Sequence, residues 1–531
     1  MPEAPRPRFN RIPWPDVDIP DVSLPAYVLA RAAGRGDRPA LIDGPSGRAL
    51  TYAGLAGQVR QAAAGLAARG FGQGSVLGLY TPNLPEFAVA FHAAAMLGGT
   101  VTTANPLLTV HELGKQLADA QATVLITVPP LLDKARQAAD QAGVREVFVF
   151  GDAGDADGAT PFAALLGMGD APPAVDINPA EDVVALPYSS GTTGLSKGVM
   201  LTHRNLVANC LQTDGPQPFG EGDVTIAVLP FFHIYALTVV LNRGLANGAT
   251  IVTMPRFEME SFLELIQKHR ATQLYLAPPV IVGLATSPLL DRFDLSSVRS
   301  IMVGAAPLDA NLAQRCAERI GCEVMQGYGL TETSPVTHLT PLGRNKPGSI
   351  GPPVANTEAI VVDLASGNPL GPGEPGEIWV RGPQVMKGYL GQPTATADAF
   401  ARDGWLRTGD IAFADEDGYF TIVDRAKELI KYKGFQVPPA ELEGVLMSHP
   451  SVADAAVIGV PDQEAGEVPK AFVVLRGDAT ADELIAYVAE RVAPYKKIRF
   501  VTVIDQIPKS ASGKILRRVL KEHERARASE S

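Results

Sequence analysis

Helical and strand-like spacings of apolar residues alternate along the first third of the chain. Residues 50–70 predict an amphipathic helix, with Thr51 as its N-terminal cap and Gly70 as its end. Continuous apolar runs typical of buried strands follow it, at VLGLY (76–80), TVLITV (123–128) and EVFVF (146–150). Further helical stretches, at about residues 85–97 and 131–142, lie between these runs. The alternation predicts an α/β domain with a largely parallel sheet.

The same alternation returns in the middle of the chain. Strands are predicted at ATIVTM (249–254) and TQLYLA (272–277), and strands that run into loops at SIMVGAAPLD (300–309) and CEVMQGYGLTET (322–333). Asp309 is placed to cap the helix that follows the first of these loops. Because ligands bind beyond the carboxyl ends of strands in open parallel sheets, the GAAPLD and QGYGLTE segments are predicted to border a site.

The composition and the predicted secondary structure change twice in the last third of the chain. Residues 341–391 contain 10 glycines and 8 prolines, a density typical of disordered chain. Three β-like runs within or just after it, EAIVVD, GEIWVRG and YFTIVD, favour a small β subdomain rich in turns instead. Beyond Asp424, a compact α+β domain of about 105 residues is predicted, in which Thr480 and Glu483 form a capping box for a helix that extends to Val492.

The length and the net charge of the chain limit the classes of protein to which it can belong. The 531 residues exceed the roughly 250–300 at which single hydrophobic cores stop growing, so two or more domains are expected. The net charge of −11 argues against a general nucleic-acid or membrane-surface binder. Residues 425–531 carry 17 Lys and Arg against 15 Asp and Glu, so a polyanionic ligand is best tolerated near this end.

Cysteine usage and apolar runs suggest a cytoplasmic protein. Cys210, Cys316 and Cys322 have neither the spacing of a zinc site nor the pattern of a disulfide framework, and are expected to be reduced thiols. The proline-rich first residues lack the apolar core of a signal peptide. No run of about 18 apolar residues occurs, so no stable membrane insertion is expected.

The stretch YSSGTTGLSKG, residues 188–198, has the composition of a phosphate-binding loop. Its glycines allow backbone N–H groups to approach an anion, its hydroxyls donate hydrogen bonds, and its lysine adds a positive charge. It is not a Walker loop, which needs glycine before the lysine and a hydroxyl after it, where this chain has Ser196 and Gly198. The candidate phosphate-binding residues are Ser189, Ser190, Gly191, Thr192, Thr193, Gly194 and Lys197.

The chain resembles the adenylate-forming superfamily of acyl-CoA synthetases, adenylation domains and luciferases, and is most similar to its 4-coumarate:CoA ligase-like branch. The resemblance covers nearly the whole length and rests on seven segments in the family's order: YSSGTTGLSKGVMLTH, LPFFHIYAL, GAAPL, QGYGLTET, GWLRTGD, VDRAKELIKYKGFQVPPAELE and PKSASGKILRR. It implies a large N-terminal adenylate-forming domain (1–424) and a small mobile α+β domain (425–531) with a hinge near Lys427.

The resemblance also implies a reaction in two steps. Mg²⁺-ATP first converts a carboxylic acid into an acyl-adenylate with release of pyrophosphate, and a thiol, usually that of CoA, then displaces AMP. A carboxylate is a poor electrophile because its charge repels nucleophiles, so the protein's task is mainly positioning and charge neutralisation around phosphates. The family's partners are small molecules, namely the acid, ATP and CoA, with no nucleic acid.

The nucleotide-binding roles follow from the same motifs. The residue 188–198 loop would hold the β- and γ-phosphates, Thr331 the α-phosphate and Glu332 the Mg²⁺ ion, which prefers carboxylate and phosphate oxygens. Asp410 would accept the ribose hydroxyls, with help from Arg425. The adenine would be framed by Ala305, Pro307, Gln326, Gly327 and Tyr328.

Two segments of the small domain would serve the two half-reactions. Lys514 would bridge the attacking carboxylate and the α-phosphate. Without the family motif, Lys514 would be interpreted only as one cation at the start of a basic helix. After rotation at the hinge, Lys431 and Gln436 would contact the adenylate, with Lys433 and Gly434 beside CoA. A solvated surface explains the charges of this segment almost equally well.

The acid-binding pocket is the least determined part. His233, as a lone histidine, is typically a packed core residue, but its motif matches the family's acyl-pocket gate. The residues that match the phenylpropanoid pocket are Tyr235, Gly304, Gly329, Pro335 and Val336. Ala305, often glycine in the family, and Thr333-Ser334, where plant enzymes usually carry Ala-Gly, leave the acid undetermined, since one methylene alters discrimination by only about 1–3 kcal/mol.

Three functions remain open on the sequence. The main hypothesis is a CoA ligase for 4-coumarate or a related aryl-propenoic acid, with medium- or long-chain fatty acids as the near alternative. An adenylating enzyme that passes its acyl group to a carrier protein or another nucleophile would keep every ATP residue, although Lys433 and Gly434 favour CoA. A silent nucleotide-binding protein is disfavoured, because Lys197, Glu332 and Lys514 are all present.

Overall fold

The computed structural model describes residues 14–30, 32–151, 159–189, 196–433, 435–462, 464–510 and 513–530. These residues form a large N-terminal domain of several α/β layers and a smaller α+β domain at the C-terminal end, so the predicted fold class is confirmed. The boundary placed at residue 424 stays a prediction.

The largest sheet occupies the first half of the chain. Its central strands run parallel, as the uninterrupted apolar runs predicted, since strands covered on both faces need no polar alternation. In sheet order the strands are Gly388–Tyr389, Lys197–Thr202, Val183–Ala185, Thr100–Ala104, Val76–Tyr80, Val124–Thr127, Glu146–Val149 and Thr160–Pro161, and Tyr188–Ser189 also pairs with Lys197–Thr202.

Two four-stranded sheets lie further along the large domain. The first contains Val224–Ala227, Thr250–Thr253, Pro39–Asp43 and Ala49–Thr51. The second contains Gln273–Leu276, Ser300–Val303, Glu323–Gly329 and Val336–Leu339, and its first three strands are parallel. The parallel strands Ser300–Val303 and Glu323–Gly329 therefore end at the same edge, as expected for the GAAPLD and QGYGLTE segments.

The segment rich in glycine and proline is a β subdomain rather than disordered chain. Its antiparallel sheet contains Glu358–Val362, Gly376–Arg381, Leu406–Ala414 and Phe420–Arg425. Three of these strands coincide with the predicted runs. The fourth, Leu406–Ala414, was recognised only as a motif, because its polar residues hide the strand pattern.

The small domain is built on one mixed sheet with its own core. The strands are Phe435–Val437, Ile430–Tyr432, Gly466–Leu475, Val452–Asp462 and Phe500–Val503. Apolar side chains such as Leu442, Val457 and Leu484 are fully buried between this sheet and its helices. A core of its own lets this domain move as a unit.

The helices of the described residues include those that the apolar spacing predicts, together with others that it does not predict. Their bounds are Leu24–Leu29, Ala32–Arg35, Tyr52–Ala68, Pro85–Met96, Val110–Asp119, Leu132–Ala142, Ala163–Leu166, His203–Gln212, Arg243–Asn247, Met259–His269, Pro278–Thr286, Ala310–Ile320, Pro393–Ala399, Pro439–Met447, Ala481–Ala489 and Arg517–Glu530. A π-helix, Ala236–Asn242, was not predicted. Such helices are rare and frequently mark functional sites.

Capping explains why several helices begin where the sequence predicts. The hydroxyl oxygen of Thr51 accepts a hydrogen bond from the N–H of Gly54 at 3.0 Å, and Asp309 caps Ala310–Ile320 in the same way. The capping box of Thr480 and Glu483 is also present. The helix that it starts ends at Ala489, three residues before the predicted end.

All three cysteines lie in the described part of the chain. Cys210, Cys316 and Cys322 are free thiols, and burial raises the pKa of each. None of the described helices combines the length and the apolar character needed to cross a bilayer.

Candidate active site

A cavity of about 690 Å³ lies where the two domains meet. The large domain contributes the loops that follow Ser300–Val303 and Glu323–Gly329, and the small domain contributes Ser510 and Lys514. The site is thus at the carboxyl ends of parallel strands, as predicted. The predicted residues on its wall are Ser189, Lys197, His233, Tyr235, Gly304, Ala305, Gly327, Tyr328, Gly329, Thr331, Glu332, Pro335, Val336, Arg425, Lys427 and Lys514.

Other predicted residues lie away from this wall. Asp410 and Gln326 are buried behind it, whereas Pro307, Lys431 and Lys433 are exposed. The residues outside the described part of the chain are Ser190, Gly191, Thr192, Thr193, Gly194 and Gly434, together with the side chain of Gln436.

Lys514 enters the cavity from a turn of the small domain. Its backbone N–H donates to the Oγ of Ser510 at 3.1 Å, and its carbonyl accepts from the Ser510 N–H at 2.8 Å. Gly513, with φ of 82°, packs so closely on the large domain that a Cβ there would lie 3.1 Å from the ring of Pro279. Only glycine adopts this conformation without strain at such a close approach, so Gly513 lets the turn dock.

The surroundings of Lys514 lower its affinity for a proton. Burial, and then repulsion from the nearby guanidinium of Arg425, lower its pKa from 10.5 to about 8, although the carboxylates of Asp410 and Glu332 act in the opposite direction. The ammonium group is therefore still mostly protonated at neutral pH. A positive charge held among carboxylates in a cleft is typical of a functional site.

Asp410 is fixed by two neighbours on the cavity wall. The Tyr328 hydroxyl donates to its Oδ2 at 2.6 Å, and the Nε of Arg425 lies 3.3 Å from its Oδ1. Its side chain is 7 % exposed. This geometry holds the carboxylate rigidly, and it presents the hydroxyl of Tyr328 and the guanidinium of Arg425 to the cavity in front of it.

Tyr389 connects two predicted residues, although none of the motifs indicates a role for it. Its hydroxyl donates to the Oε1 of Glu332 at 2.9 Å, and the Nζ of Lys197 lies 4.6 Å from the centre of its ring. The strand Gly388–Tyr389 reaches this position by pairing with Lys197–Thr202. The tyrosine therefore holds an anion and a cation of the site in a fixed relation.

Two of the acyl-pocket candidates, His233 and Tyr235, lie immediately before the π-helix Ala236–Asn242. The Nδ1 of His233 accepts a hydrogen bond from the Tyr235 N–H at 3.2 Å, and the Tyr235 hydroxyl donates to the Met302 carbonyl at 3.2 Å. Burial, and then the charge of Lys514, lower the pKa of His233 to about 4. His233 is therefore neutral at pH 7. It lies on the cavity wall rather than inside a hydrophobic core.

Ala305 departs from the backbone conformation usual for alanine. Its φ of 73° lies in the left-handed region, which favours glycine. This agrees with the observation that the family often carries glycine there. Ala305 lies on the cavity wall.

Gly329→Ala should destabilise the protein and impair the site together. A Cβ at Gly329 would lie 1.9 Å from the carbonyl oxygen of Pro335, a backbone atom that has to move. We expect the free energy of unfolding to fall by about 1–3 kcal/mol, measured by thermal melting. Gly72→Ala is the matched control, since its Cβ would meet no atom within 4 Å. An unchanged melting temperature for Gly329→Ala would contradict this packing.

Comparison with known protein families identifies the family to which the chain belongs. The family model described as AMP-binding enzyme matches residues 28–390, and the model described as AMP-binding enzyme C-terminal domain matches residues 441–514. The chain belongs to the AMP-binding enzyme family. The resemblance stated from the motifs is thereby confirmed, including the order of the two domains.

Individual relatives agree over nearly their full lengths. 4-Coumarate–CoA ligase 3 of Oryza sativa subsp. japonica is 46% identical over 520 residues, which cover 96% of this chain and 93% of that protein. The ATP-bound structure of MatB from Rhodopseudomonas palustris superposes with a TM-score of 0.85 at 31% identity, over 94% of this chain and 99% of that one. The anthranilate CoA ligase AuaEII, in complex with anthranoyl-AMP, gives a TM-score of 0.87 at 27% identity, over 96% and 98%. The enzyme class predicted from the motifs, an AMP-forming acid–thiol ligase, is confirmed.

The cavity offers one carboxylate suited to the Mg²⁺ ion that the family implies. Within the described residues, no group of three His, Cys, Asp or Glu could hold a metal by itself. Glu332 lines the cavity beside Thr331, with one oxygen held by Tyr389. This donor set fits Mg²⁺, which is typically bound by one or two carboxylates together with phosphate oxygens and water.

Proposed function

We propose that this enzyme joins 4-coumarate or a related aryl-propenoic acid to CoA through an acyl-adenylate, and that the cavity residues carry out the first step. A carboxylate oxygen of the acid attacks the α-phosphorus of ATP, and pyrophosphate leaves with the electron pair of the broken bond. The thiol of CoA then attacks the acyl carbonyl carbon, and AMP leaves with the bridging oxygen. The observation that carries this proposal is the position of Lys514, which projects from the small domain into the cavity near Arg425 and Glu332.

Charge neutralisation is the main task of the wall residues. Lys197 and Ser189 would bind the terminal phosphates, and the Thr331 hydroxyl would donate a hydrogen bond to the α-phosphate. The Mg²⁺ ion held by Glu332 would neutralise phosphate charge. Asp410 would receive the ribose through its remaining acceptor capacity, beside the hydroxyl of Tyr328. The carboxylates of Asp410 and Glu332 are already held by the hydroxyls of Tyr328 and Tyr389, so these two groups need little reorganisation during the reaction.

Lys514 would stabilise the attack itself. Two anions, a carboxylate and an α-phosphate, must approach each other, and one ammonium group between them offsets their repulsion. The partly buried position strengthens this effect, because water screens the charges less.

The pH dependence of adenylation should reveal the protonation of Lys514. The side chain works as a cation, and its pKa is about 8 rather than the usual 10.5. We therefore expect the kcat/KM of adenylation, which reports on the free enzyme, to fall about tenfold per pH unit above about pH 8. The measurement is pyrophosphate release across this range. In Lys514→Arg, whose guanidinium stays protonated, the fall should vanish, and an identical profile in both proteins would assign it to another group.

The second step would use the other face of the small domain. Lys431 and Lys433 are exposed and do not line the cavity, whereas Lys514 does. Gln436 and Gly434 belong to the same segment as Lys431 and Lys433. A rotation about Lys427 would withdraw Lys514 and bring this segment to the adenylate, with CoA beside Lys433 and Gly434. The proposed domain boundary between residues 424 and 425 places the hinge in this connection.

An aromatic acid fits the pocket better than a charged or strongly polar one. The wall near Tyr235 includes the apolar side chains of Val239, Val336 and Leu339, and His233 is neutral. A flat ring can lie against the tyrosine at little entropic cost. Val336, Pro335, Gly329 and Gly304 are thus proposed to border the acyl group. We also propose a cytoplasmic location, in keeping with the reduced thiols.

Thioester formation with a panel of acids tests this function. The protein is incubated with ATP, Mg²⁺, CoA and either cinnamic, benzoic or fatty acids, and products are identified by mass spectrometry. We expect AMP and an aryl-propenoyl-CoA thioester. If only fatty acids gave a thioester, the substrate class would be fatty acids rather than aryl-propenoic acids. Adenylate without any CoA thioester would indicate a carrier protein or another nucleophile as the acceptor.

A further inference from the structure

The backbone around Tyr389 is fixed by hydrogen bonds on two sides. The N–H of Leu390 donates to the carbonyl of Gly198 at 2.9 Å, on the strand that carries Lys197. The N–H of Tyr389 itself donates to the Oγ1 of Thr396 at 2.9 Å. Because these contacts hold the backbone, the side chain of Tyr389 has a fixed origin and a fixed reach into the cavity wall.

The same segment holds both the backbone and the side chain of Glu332. The N–H of Met386 donates to the carbonyl of Glu332 at 2.8 Å, and the hydroxyl of Tyr389 donates to its Oε1 at 2.9 Å. Among the described residues, no other group donates a hydrogen bond to this carboxylate. One oxygen of Glu332 is therefore engaged by the protein, and the other is left for a ligand on the cavity wall.

We propose that Tyr389 is a positioning residue that leaves Glu332 one oxygen for the metal ion and thereby selects Mg²⁺ over Ca²⁺. This inference rests on the proposed function, in which Glu332 binds the metal of Mg²⁺-ATP. Mg²⁺ requires nearly octahedral coordination at short distances, whereas Ca²⁺ takes about six to eight oxygens and accepts both oxygens of one carboxylate. A carboxylate that is tied at one oxygen suits the first ion better than the second.

Packing alone does not explain why a hydroxyl is placed here. A phenylalanine would present the same ring to Lys197, but it would leave the side chain of Glu332 free to rotate. Ordering a glutamate side chain costs conformational entropy, and the Tyr389 hydroxyl makes this cost part of folding rather than part of metal binding. Groups that orient a metal ligand in this way have large effects on the affinity for the metal.

Two substitutions at Tyr389 separate the hydroxyl from the ring. Tyr389→Phe removes the hydroxyl but keeps the ring, whose centre lies 4.6 Å from the Nζ of Lys197. Glu332 can then turn and offer both oxygens, which suits Ca²⁺ better than Mg²⁺. Tyr389→Leu also removes the ring, so it should in addition weaken the binding of ATP without any metal, because Lys197 loses the partner that positions it.

The affinity for ATP measures the choice of metal without any turnover. The dissociation constant of ATP is measured by calorimetry in the absence of an acid, with saturating Mg²⁺, with saturating Ca²⁺ and without a divalent cation. We expect the unmodified protein to bind Mg²⁺-ATP more tightly than Ca²⁺-ATP. In Tyr389→Phe the ratio of these two constants should shift about tenfold in favour of Ca²⁺, the scale expected when a group that orients a metal ligand is lost.

Tyr419→Phe is the matched control for the loss of a tyrosine hydroxyl. The Tyr419 hydroxyl donates to the carbonyl of Arg344 at 2.9 Å, and the Nζ of Lys346 lies 5.4 Å from the centre of its ring. Tyr419 does not belong to the cavity wall, so this variant should keep the ratio of the unmodified protein. Melting temperatures show whether each variant is folded.

The outcomes separate this inference from the proposed function. A ratio in Tyr389→Phe equal to that of the unmodified protein, even if both affinities fall, would overturn the inference while the ligase function stands. Equal affinities for Mg²⁺-ATP and Ca²⁺-ATP in the unmodified protein would overturn it as well. Absence of ATP binding under all three conditions would remove the proposed function, and this inference with it. Thioester formation tests the acid and the acceptor separately, because no acid takes part in the binding experiment.

Discussion

Lys514→Ala should lower the rate of acyl-adenylate formation by about 100- to 1,000-fold while thioester formation from a synthetic acyl-adenylate remains largely intact. The ammonium group is the cation that the small domain brings to the cavity, and with a pKa of about 8 it is still mostly charged at neutral pH. In the second step the thiol attacks the acyl carbonyl carbon rather than the α-phosphorus, so the same charge matters much less. Pyrophosphate release measures the first step, and thioester appearance from added adenylate measures the second.

Lys509→Ala is the matched control for this prediction. Lys509 lies five residues earlier in the same segment, but its Nζ contacts the Oδ2 of Asp454 at 2.6 Å within the small domain, away from the cavity. The variant should adenylate the acid at nearly the normal rate. An equal loss of both half-reactions in Lys514→Ala would contradict the assignment of this lysine to the first step.

Glu332→Gln should raise the Mg²⁺ concentration needed for half-maximal adenylation at least about tenfold, the scale expected when a charged metal ligand becomes neutral. Glu332 is a carboxylate on the wall beside Thr331, and Tyr389 occupies only one of its oxygens in the described structure. The measurement is a titration of pyrophosphate release with Mg²⁺ at a fixed ATP concentration.

Glu377→Gln tests whether the position of the carboxylate matters. Glu377 also lines the cavity, but its oxygens accept hydrogen bonds from the Gly409 N–H at 2.9 Å and the Trp379 indole at 2.8 Å. The Mg²⁺ titration of this variant should match that of the unmodified protein. An unchanged titration in Glu332→Gln would exclude Glu332 from the metal's ligands.

Local chemistry explains which parts of the fold were predictable. Tyr52–Ala68 was predicted nearly to the residue, because Thr51 caps it and its apolar face recurs at helical spacing. The helix starting at Ala481 ends early for a less visible reason. The N–H of Arg491 bonds the carbonyl of Val488, three residues back, and Pro494 restricts Ala493 to extended backbone.

Contacts between distant segments were not predictable from local patterns. Tyr389 joins the site because its short strand pairs with Lys197–Thr202, about 190 positions earlier in the chain. The Tyr328–Asp410 hydrogen bond likewise unites two motifs that the sequence could only place separately. Arg243 and Gln217 belong to none of the seven motifs, and only the fold brings them to the cavity wall.

Oxygen labelling shows directly whether the acid is activated by forming a bond to the α-phosphorus of ATP. The acid is prepared with ¹⁸O in both carboxylate positions and incubated with the protein, ATP, Mg²⁺ and CoA. We expect AMP that carries one ¹⁸O atom and a thioester that retains the other, because the bridging oxygen leaves with AMP. Unlabelled AMP, or ADP with labelled phosphate, would contradict the adenylate route.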